Sequence, residues 1–406
     1  MTTEAPFNPK WWREWRFIGA LLALTGWLVW AYCRLRPRGR LVAFPHRLPG
    51  YHHWAYRRLA YSDIVALYHT HHLYLHLLPY VQNRIEYPVL LGIFMWLTSF
   101  APGIDAYYTV NAVAIWLAAA ASLVLLRKMV PRVYYWFAWT PLLLVYGMLN
   151  WDIVGIFLLV LGWHLYQRSR YNWAAVVFAL AVSFKFFPIF VLPFILVELY
   201  RDRKILTLKT MVAVFSVVTL VLNVPFAYLN FKNWSFFFVF NAGRGVGADI
   251  WANHWVHAMP VAVVDVLSFL VVSAAVFWLG NQVYRGGSVI SAAANLFAIF
   301  LVVNKVFSPQ YMIWMMAYAV LAEWPAASYA WLALGGVVDY LNSLTVLFLI
   351  HTHSPSLRWY GDRLFPLGLL TRYGSIVAAA ILNIRAKKAA PAHQGGSVNR
   401  TINVVG

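Results

Sequence analysis

The chain has few charges, very few acidic residues and a single cysteine. Charged residues make up 11% of its 406 residues, against about 25% in a typical soluble domain, and only 13 residues are Asp or Glu. Because Cys33 is the only cysteine, a disulfide framework and a cysteine-ligated metal site are both excluded. The chain also has no Walker loop and no dinucleotide fingerprint, so a soluble nucleotide donor is not indicated.

Apolar residues are abundant instead, at 62% of the chain. Many windows of about 20 residues carry no charge, which predicts an all-α, polytopic transmembrane protein with about 11–13 spans. These runs are continuously apolar rather than alternating, which argues against a β-barrel. The formal net charge of +19 must lie in loops and tails, where it favours membrane lipids and phosphate groups as partners and not nucleic acid.

The apolar runs predict one transmembrane domain over 1–385, followed by a basic, disordered cytoplasmic tail over 386–406. A first span is expected near 17–33. The polar connection at 36–86 follows it, and we expect short amphipathic helices of this connection to lie on the membrane surface. Later apolar runs lie near 89–100, 106–126, 134–166 and 172–199, and the last two are interrupted at 150–152 and at Lys185. Further helices are expected near 207–228, 259–283, 288–303, 309–322, 327–350 and 367–384.

The basic turns at 127–132, 168–170, 201–209 and 285 indicate the cytoplasmic side. This orientation puts the connection at 36–86 and the loops at 230–257 and 351–366 on the outer face. It also lets only one of the two runs at 89–100 and 106–126 cross the membrane, so the other should be re-entrant or lie flat.

Three acidic residues on the predicted outer face are candidates for chemistry, because ionisable groups beside membrane segments are costly. Asp63 stands at the expected start of a helix, where it could instead be a simple cap with Ser62. Glu86 could pair with Arg84 or cap the following helix, and Asp152 could cap a helix at a break in an apolar run.

Two lysines on the same face suit an anionic partner. Lys185 lies among phenylalanines, where a phosphate or carboxylate is a better partner than solvent. Lys305 and Ser308 precede Pro309, which can begin a helix whose free N–H groups would complete an anion site. An ordinary interfacial lysine is the alternative at either position.

Several histidines and arginines accompany these residues. The histidines at 69, 71 and 72, and His351 with His353, lack the pattern of a metal site, so no metal is expected and contact with lipid phosphate or an auxiliary acid–base role is preferred. The arginines at 34, 36, 38 and 40 indicate a phosphate or lipid-binding feature, with interfacial snorkelling as the alternative.

Five short motifs occur in order along the chain: YSDI at 61–64, RIEYP at 84–88, NWD at 150–152, SFKFFP at 183–188 and NKVFSPQY at 304–311. Together they resemble the membrane-embedded C-type glycosyltransferases that use polyprenyl-phosphate sugars. More narrowly, the chain is similar to the polyprenyl-phosphate-mannose-dependent mannosyltransferases, such as the α-1,2-mannosyltransferase of phosphatidylinositol mannosides.

The resemblance implies an inverting glycosyltransferase, most closely a mannosyltransferase, with its active site on the outer face of the cytoplasmic membrane. Asp63 would be the general base, the donor a polyprenyl-phosphate sugar, the acceptor a glycolipid, and no cofactor would be needed. A transporter or flippase of a lipid-linked sugar is the alternative. The residues expected to contact substrate are Tyr61, Glu86, Asp152, Lys185, Lys305, Ser308, Gln310, His351 and His353.

Overall fold

The structure is a computed structural model that describes residues 10–37, 48–256 and 259–389. These residues form nineteen α-helices and two short 3₁₀ turns, and they contain no β-strand. The predicted all-α class is therefore confirmed.

The helices vary widely in length, and the shortest lie where polar residues or prolines interrupt the apolar runs. The two 3₁₀ turns are Leu73–Leu75 and Phe187–Val191. In chain order the α-helices are α1 (Lys10–Leu35), α2 (Leu48–Arg57), α3 (Asp63–Thr70), α4 (Val89–Thr98), α5 (Gly103–Met129), α6 (Tyr135–Trp139), α7 (Leu142–Tyr146), α8 (Asp152–Gln167), α9 (Tyr171–Phe184), α10 (Leu192–Arg201), α11 (Ile205–Leu229), α12 (Phe231–Trp234), α13 (Phe236–Gly243), α14 (Trp251–His254), α15 (Val261–Tyr284), α16 (Val289–Val303), α17 (Tyr311–Leu321), α18 (Ala326–His351) and α19 (Ser356–Ala389).

Six helices of the described chain are long and apolar enough to cross a membrane: α1, α5, α11, α15, α18 and α19. Five shorter apolar helices accompany them: α4, α8, α9, α16 and α17. A multi-pass membrane protein is therefore confirmed by length and composition, while the count of 11–13 spans stays a prediction.

Helices α1 and α5 are joined by an ion pair at each end of the bundle. Arg36, just beyond the end of α1, forms an ion pair with Asp105 in the first turn of α5, and Arg127 near the end of α5 lies 2.5 Å from Glu14 of α1. The two helices are therefore antiparallel. Helix α4 has only 10 residues, about 15 Å, which is half the thickness of a bilayer core. Of the two apolar runs after the first connection, α5 has the length to cross and α4 does not.

The first connection contains the two short helices expected of it, α2 and α3. Helix α3 packs into the bundle, where Ile64 and Val65 are buried and the ring of Tyr68 lies 4.8 Å from that of Tyr107. The carbonyl of Leu59 accepts a hydrogen bond from the hydroxyl of Tyr340 at 2.5 Å, which ties the connection to α18. These contacts fix the start of α3 relative to the long helices.

The arginines after the first span do not act as a free cluster. Arg34 donates to the carbonyls of Leu59 and Leu144 at 2.8 and 3.0 Å, and Arg36 is bound to Asp105. Both guanidinium groups therefore join elements of the bundle, while the phosphate or lipid-binding interpretation of these positions stays a prediction. Residues 38 and 40 lie outside the described residues.

Two boundaries near the end of the chain differ from the prediction. The expected loop at 351–366 is helical from Ser356 onward, because α19 continues through Pro366. Helix α19 also extends to Ala389 and so includes the first four residues assigned to the tail. The rest of the predicted tail lies outside the described residues.

Candidate functional site

A cavity of about 920 Å³ lies at the end of the bundle where α3 begins and α9 ends. The turn that precedes α17, the helix α13 and the last turns of α18 contribute further residues to its wall. Seven of the ten predicted site residues line it: Tyr61, Asp63, Glu86, Lys185, Lys305, Ser308 and Gln310. Residues separated by about 250 positions in the sequence thus share one space, as the predicted site requires.

Asp63 is the first residue of α3, and it is held in place by the turn between α7 and α8. Its backbone N–H donates to the carbonyl of Leu149 at 2.8 Å. The hydroxyl of Ser62 donates to the carbonyls of Met148 and Leu149 at 3.1 and 3.0 Å and makes no capping hydrogen bond to α3. Ser62 therefore anchors α3 to the neighbouring turn rather than capping it, and the Asp63 carboxylate remains at the cavity wall.

The surroundings of Asp63 favour a carboxyl group that gains and loses a proton near neutrality. Burial raises the pKa of Asp63 to about 6, although a hydrogen bond with Tyr61 and the charge of Lys185 act to lower it. A carboxylate with this pKa is a stronger base than an exposed aspartate and is still mostly ionised at pH 7.

Glu86, the second carboxylate of the cavity, has a different partner from the one its sequence neighbours suggested. Its Oε2 lies 2.7 Å from Nε2 of His71, while Arg84 lies over the ring of Phe236 at 5.9 Å. Burial alone would raise the pKa of Glu86, but the hydrogen bond and charge of His71 outweigh this and lower it. Glu86 therefore stays ionised at the pH values at which Asp63 can be protonated. The suggested pair of Glu86 with Arg84 is wrong, because His71 is the partner.

Lys185 follows the last residue of α9, where the backbone becomes extended. Its Nζ lies 3.1 Å from Oδ1 of Asp152 and 4.5 Å from the centre of the Tyr87 ring. Asp152 is almost fully buried and lies behind the lysine rather than on the cavity wall. This carboxylate compensates the buried ammonium group and directs it towards the cavity, which explains a lysine among phenylalanines.

Lys305 lies in the turn between α16 and α17. Its Nζ donates to the carbonyl of Ala242, the penultimate residue of α13, and to Oδ2 of Asp265, both at 3.0 Å. Helix α17 begins at Tyr311, two residues later than Pro309, so Ser308 and Gln310 precede its first turn. Both side chains lie on the cavity wall with Lys305.

Arg244 is a third cation of the cavity that the sequence prediction did not include. It follows the end of α13 and stacks over Phe240 at 5.7 Å, and it forms no ion pair within the described chain. The available signal was an arginine between Gly243 and Gly245 in a chain with few charges. Asn304, Tyr87 and Asp249 also line the cavity and were not predicted as site residues.

The two predicted histidines lie outside the cavity wall. His351 packs against the rings of His53 and Tyr56, both at 5.9 Å between centres, and His353 is exposed after the end of α18. The neighbouring Ile350 lines the cavity in their place. Among the described residues, no group of three or more His, Cys, Asp or Glu side chains is placed to hold a metal ion.

The rest of the cavity wall is apolar and largely aromatic. Phe237, Phe238 and Phe240 come from α13, a helix with no buried residue, and Leu347 comes from α18. The cavity therefore joins a polar region, which has carboxylates and cations, to an apolar region that opens beside exposed phenylalanines. Such a space fits a molecule with a charged head and a hydrocarbon chain.

A comparison of the chain with protein-family models finds no matching model, and no curated protein matches it either.

Proposed function

We propose that this protein is an inverting glycosyltransferase of the cytoplasmic membrane. It would move a sugar, with mannose as the first candidate, from a polyprenyl-phosphate donor to a glycolipid acceptor at the outer face. The observation that carries the proposal is one cavity in which Asp63 shares a polar region with Lys185, Lys305 and Arg244 and adjoins a wall of phenylalanines.

Asp63 is the proposed general base. Its carboxylate removes the proton from an acceptor hydroxyl, and the hydroxyl oxygen attacks the anomeric carbon of the donor sugar from the side opposite the phosphate. The new glycosidic bond forms as the bond from the anomeric carbon to the phosphate oxygen breaks, so the configuration inverts. The electron pair leaves with the polyprenyl phosphate, and the proton remains on Asp63. A pKa of about 6 suits a base that must accept this proton near neutral pH.

The cations serve the leaving group. Breaking the bond to the sugar adds negative charge to the phosphate, and fixed cations stabilise that charge best where water is excluded. Arg244 is the most available of the three, because Lys185 and Lys305 already pair with Asp152 and Asp265. These carboxylates orient the lysines and reduce the net positive charge of the cavity.

The apolar wall serves the lipid. A polyprenyl chain needs an extended hydrocarbon surface, and α13 contributes phenylalanines both to the cavity and to the exposed surface of the protein. A chain lying along α13 would place its phosphate next to Lys305, because that lysine is bonded to the end of this helix. The acceptor hydroxyl would then approach from the side of Asp63 and Tyr61.

The test is transfer by the purified protein. Polyprenyl-phosphate mannose and a panel of glycolipid acceptors are incubated with it, and the product is identified by its mass. We expect the Asp63→Asn protein to lose at least about 100-fold in rate, the usual contribution of a general base. Asp362→Asn is the matched control, since Asp362 is an exposed acid of α19 that does not line the cavity.

A rate of sugar transfer by the Asp63→Asn protein equal to that of the wild type would show that Asp63 is not the general base. Movement of the lipid-linked sugar between leaflets without a new glycosidic bond would favour the transporter or flippase instead. Both assays use the same reconstituted protein, so the two functions are separated in one preparation.

A further inference from the structure

A second concavity, of about 530 Å³, lies between α10, α11 and α15 and shares no residue with the cavity of Asp63. Its wall is apolar, with Leu196 and Val197 from α10, Leu208 from α11, and Val276 and Phe277 from α15. Phe277 is 80% exposed, so the concavity is an open groove on the outside of the bundle. We refer to it as the lateral groove.

One end of the lateral groove is marked by tyrosines. Tyr200 and Tyr284 line it, and their ring centres lie 6.5 Å apart. Tyrosines concentrate at the head-group level of a bilayer, so this pair indicates the depth at which the groove meets the membrane surface. From there the groove extends along the apolar helices towards the hydrocarbon region.

The groove ends at two basic turns that are fixed against each other. Arg201 donates to the carbonyl of Val283 at 2.7 Å, which joins the turn after α10 to the end of α15. Arg201 also pairs with Glu198 and Asp202 on its own side. The two turns therefore form one surface beside the tyrosines.

Three exposed cations extend this surface: Arg203 and Lys209 on one side and Arg285 on the other. None of the three forms an ion pair within the described residues. An apolar groove beside a surface of unpaired cations complements a molecule with hydrocarbon chains and an anionic head.

We propose that the lateral groove is a binding site for an anionic phospholipid. The acyl chains occupy the space between α10, α11 and α15, and the phosphate lies among Arg203, Lys209 and Arg285. A second copy of the protein suits the groove less well, because symmetric pairing there would bring two sets of the same cations together. The lipid is recognised by charge and apolar fit, and the site does not depend on the glycosyltransferase proposal.

The test measures lipid selectivity without any activity assay. The protein is purified in detergent, exposed to equal amounts of phosphatidylglycerol and phosphatidylcholine, and the lipids bound per molecule are counted by native mass spectrometry. We expect the wild-type protein to retain phosphatidylglycerol preferentially. The Arg203→Gln/Arg285→Gln protein should lose about tenfold in that preference, since each cation near a membrane surface contributes to anionic lipid binding.

The matched control is Lys128→Gln/Arg132→Gln, which removes two exposed charges near the turn after α5. These residues do not line the groove, so the preference should be unchanged. Equal loss in both proteins would mean a general charge effect and would overturn the site.

A second variant tests the apolar part. Gly280 lines the groove, and a Cβ atom built there meets only Val197 Cγ2, at 3.8 Å. The first carbon of a side chain at this position therefore fits, and Gly280→Leu should extend from it into the groove and reduce phosphatidylglycerol retention while the cations stay in place. Undiminished retention, or a groove occupied by a second copy that doubles the measured mass, would contradict the proposal.

Discussion

At the scale of single residues, Asp63 combines two properties that oppose each other. Burial raises its pKa to about 6, which makes the carboxylate a better base but shortens the pH range in which it is ionised. The nearby Glu86, whose pKa is lowered by His71, does not titrate in that range. Asp63 is therefore the carboxyl group of this pair that should control activity near neutral pH.

The protonation of Asp63 should set the pH dependence of sugar transfer. Because only ionised Asp63 can accept a proton, kcat/KM for sugar transfer should rise about tenfold per pH unit below pH 6 and level off above it. The measurement is the initial rate between about pH 4.5 and pH 8 with subsaturating acceptor, a range that brackets the pKa. A flat profile would show that Asp63 is not the base, whereas activity that falls as pH rises from 6 would require a protonated carboxyl group.

Arg372 is the second residue with an unusual environment, since a fully buried arginine is costly without compensation. Its guanidinium group lies 3.0 Å from Asp249 and 3.2 Å from Asp339, and it stacks over Phe307 at 4.2 Å. Asp249 and Phe307 both line the cavity. Arg372 thus connects α18 and α19 to the wall of the site.

Replacing Arg372 by methionine should destabilise the protein by about 3–5 kcal/mol, because Asp339 would remain buried without its cation. Thermal unfolding in detergent measures the loss. Arg363→Met is the control, since Arg363 is exposed on the same helix. A similar unfolding temperature for both variants would show that the buried network contributes little to stability.

At the scale of elements, α18 and α19 approach each other closely through small residues. A Cβ atom at Gly335 of α18 would lie 2.5 Å from the Cβ of Ser375 on α19, well inside van der Waals contact. Small residues at such interfaces let helix backbones approach in a membrane, where the hydrophobic effect does not drive helices together. This pair also carries Tyr340, Leu347 and Phe365 of the cavity wall.

Gly335→Ala should therefore cost about 1–3 kcal/mol, because the helices must separate to admit the methyl group. Gly374→Ala on α19 is the matched change, since Gly374 is exposed and has no atom within 4 Å of the added carbon. That change should be neutral or slightly stabilising, given the better helix propensity of alanine. The unfolding temperatures of the two variants test the close packing. Equal unfolding temperatures for Gly335→Ala and Gly374→Ala would contradict it.

The elements were largely predictable because apolar runs with polar interruptions determine where membrane helices begin and end. The start of α19 was missed since Arg358, Asp362 and Arg363 interrupt its apolar pattern, although none of them prevents a helix. Partners were harder to predict than elements. Glu86 pairs with His71, and Lys305 pairs with Asp265. Neither pair lies within one sequence motif, so no local pattern predicts it.

The same difficulty explains the omission of Arg244. Its position beside the cavity depends on where α13 ends and on the bond from Lys305 to Ala242, a tertiary contact that no local pattern records. Asp63, Lys185 and Lys305 were predictable because each is a charged group in an apolar setting that excludes most charges.

At the scale of the whole molecule, charge and topology agree on an orientation. The turns at 127–132, 168–170 and 201–209 follow or precede helices at the end opposite the cavity, and they hold many of the basic residues. Positive turns favour the cytoplasmic side, so the cavity of Asp63 should open at the outer side. This is where a polyprenyl-phosphate sugar would meet a glycolipid acceptor under the proposed function.

Thiol labelling of intact cells tests this orientation directly. In a background with Cys33→Ser, which removes the only native cysteine, the Ser356→Cys protein places a thiol on the exposed first residue of α19, at the cavity end. The Ser169→Cys protein places one on the exposed turn between α8 and α9 at the opposite end. A membrane-impermeant reagent should label the first in intact cells and the second only after lysis. The reverse pattern would put Asp63 at the cytoplasmic face and the basic turns at the outer face, against the positive-inside rule. The proposed donor would then have to be bound from the inner leaflet.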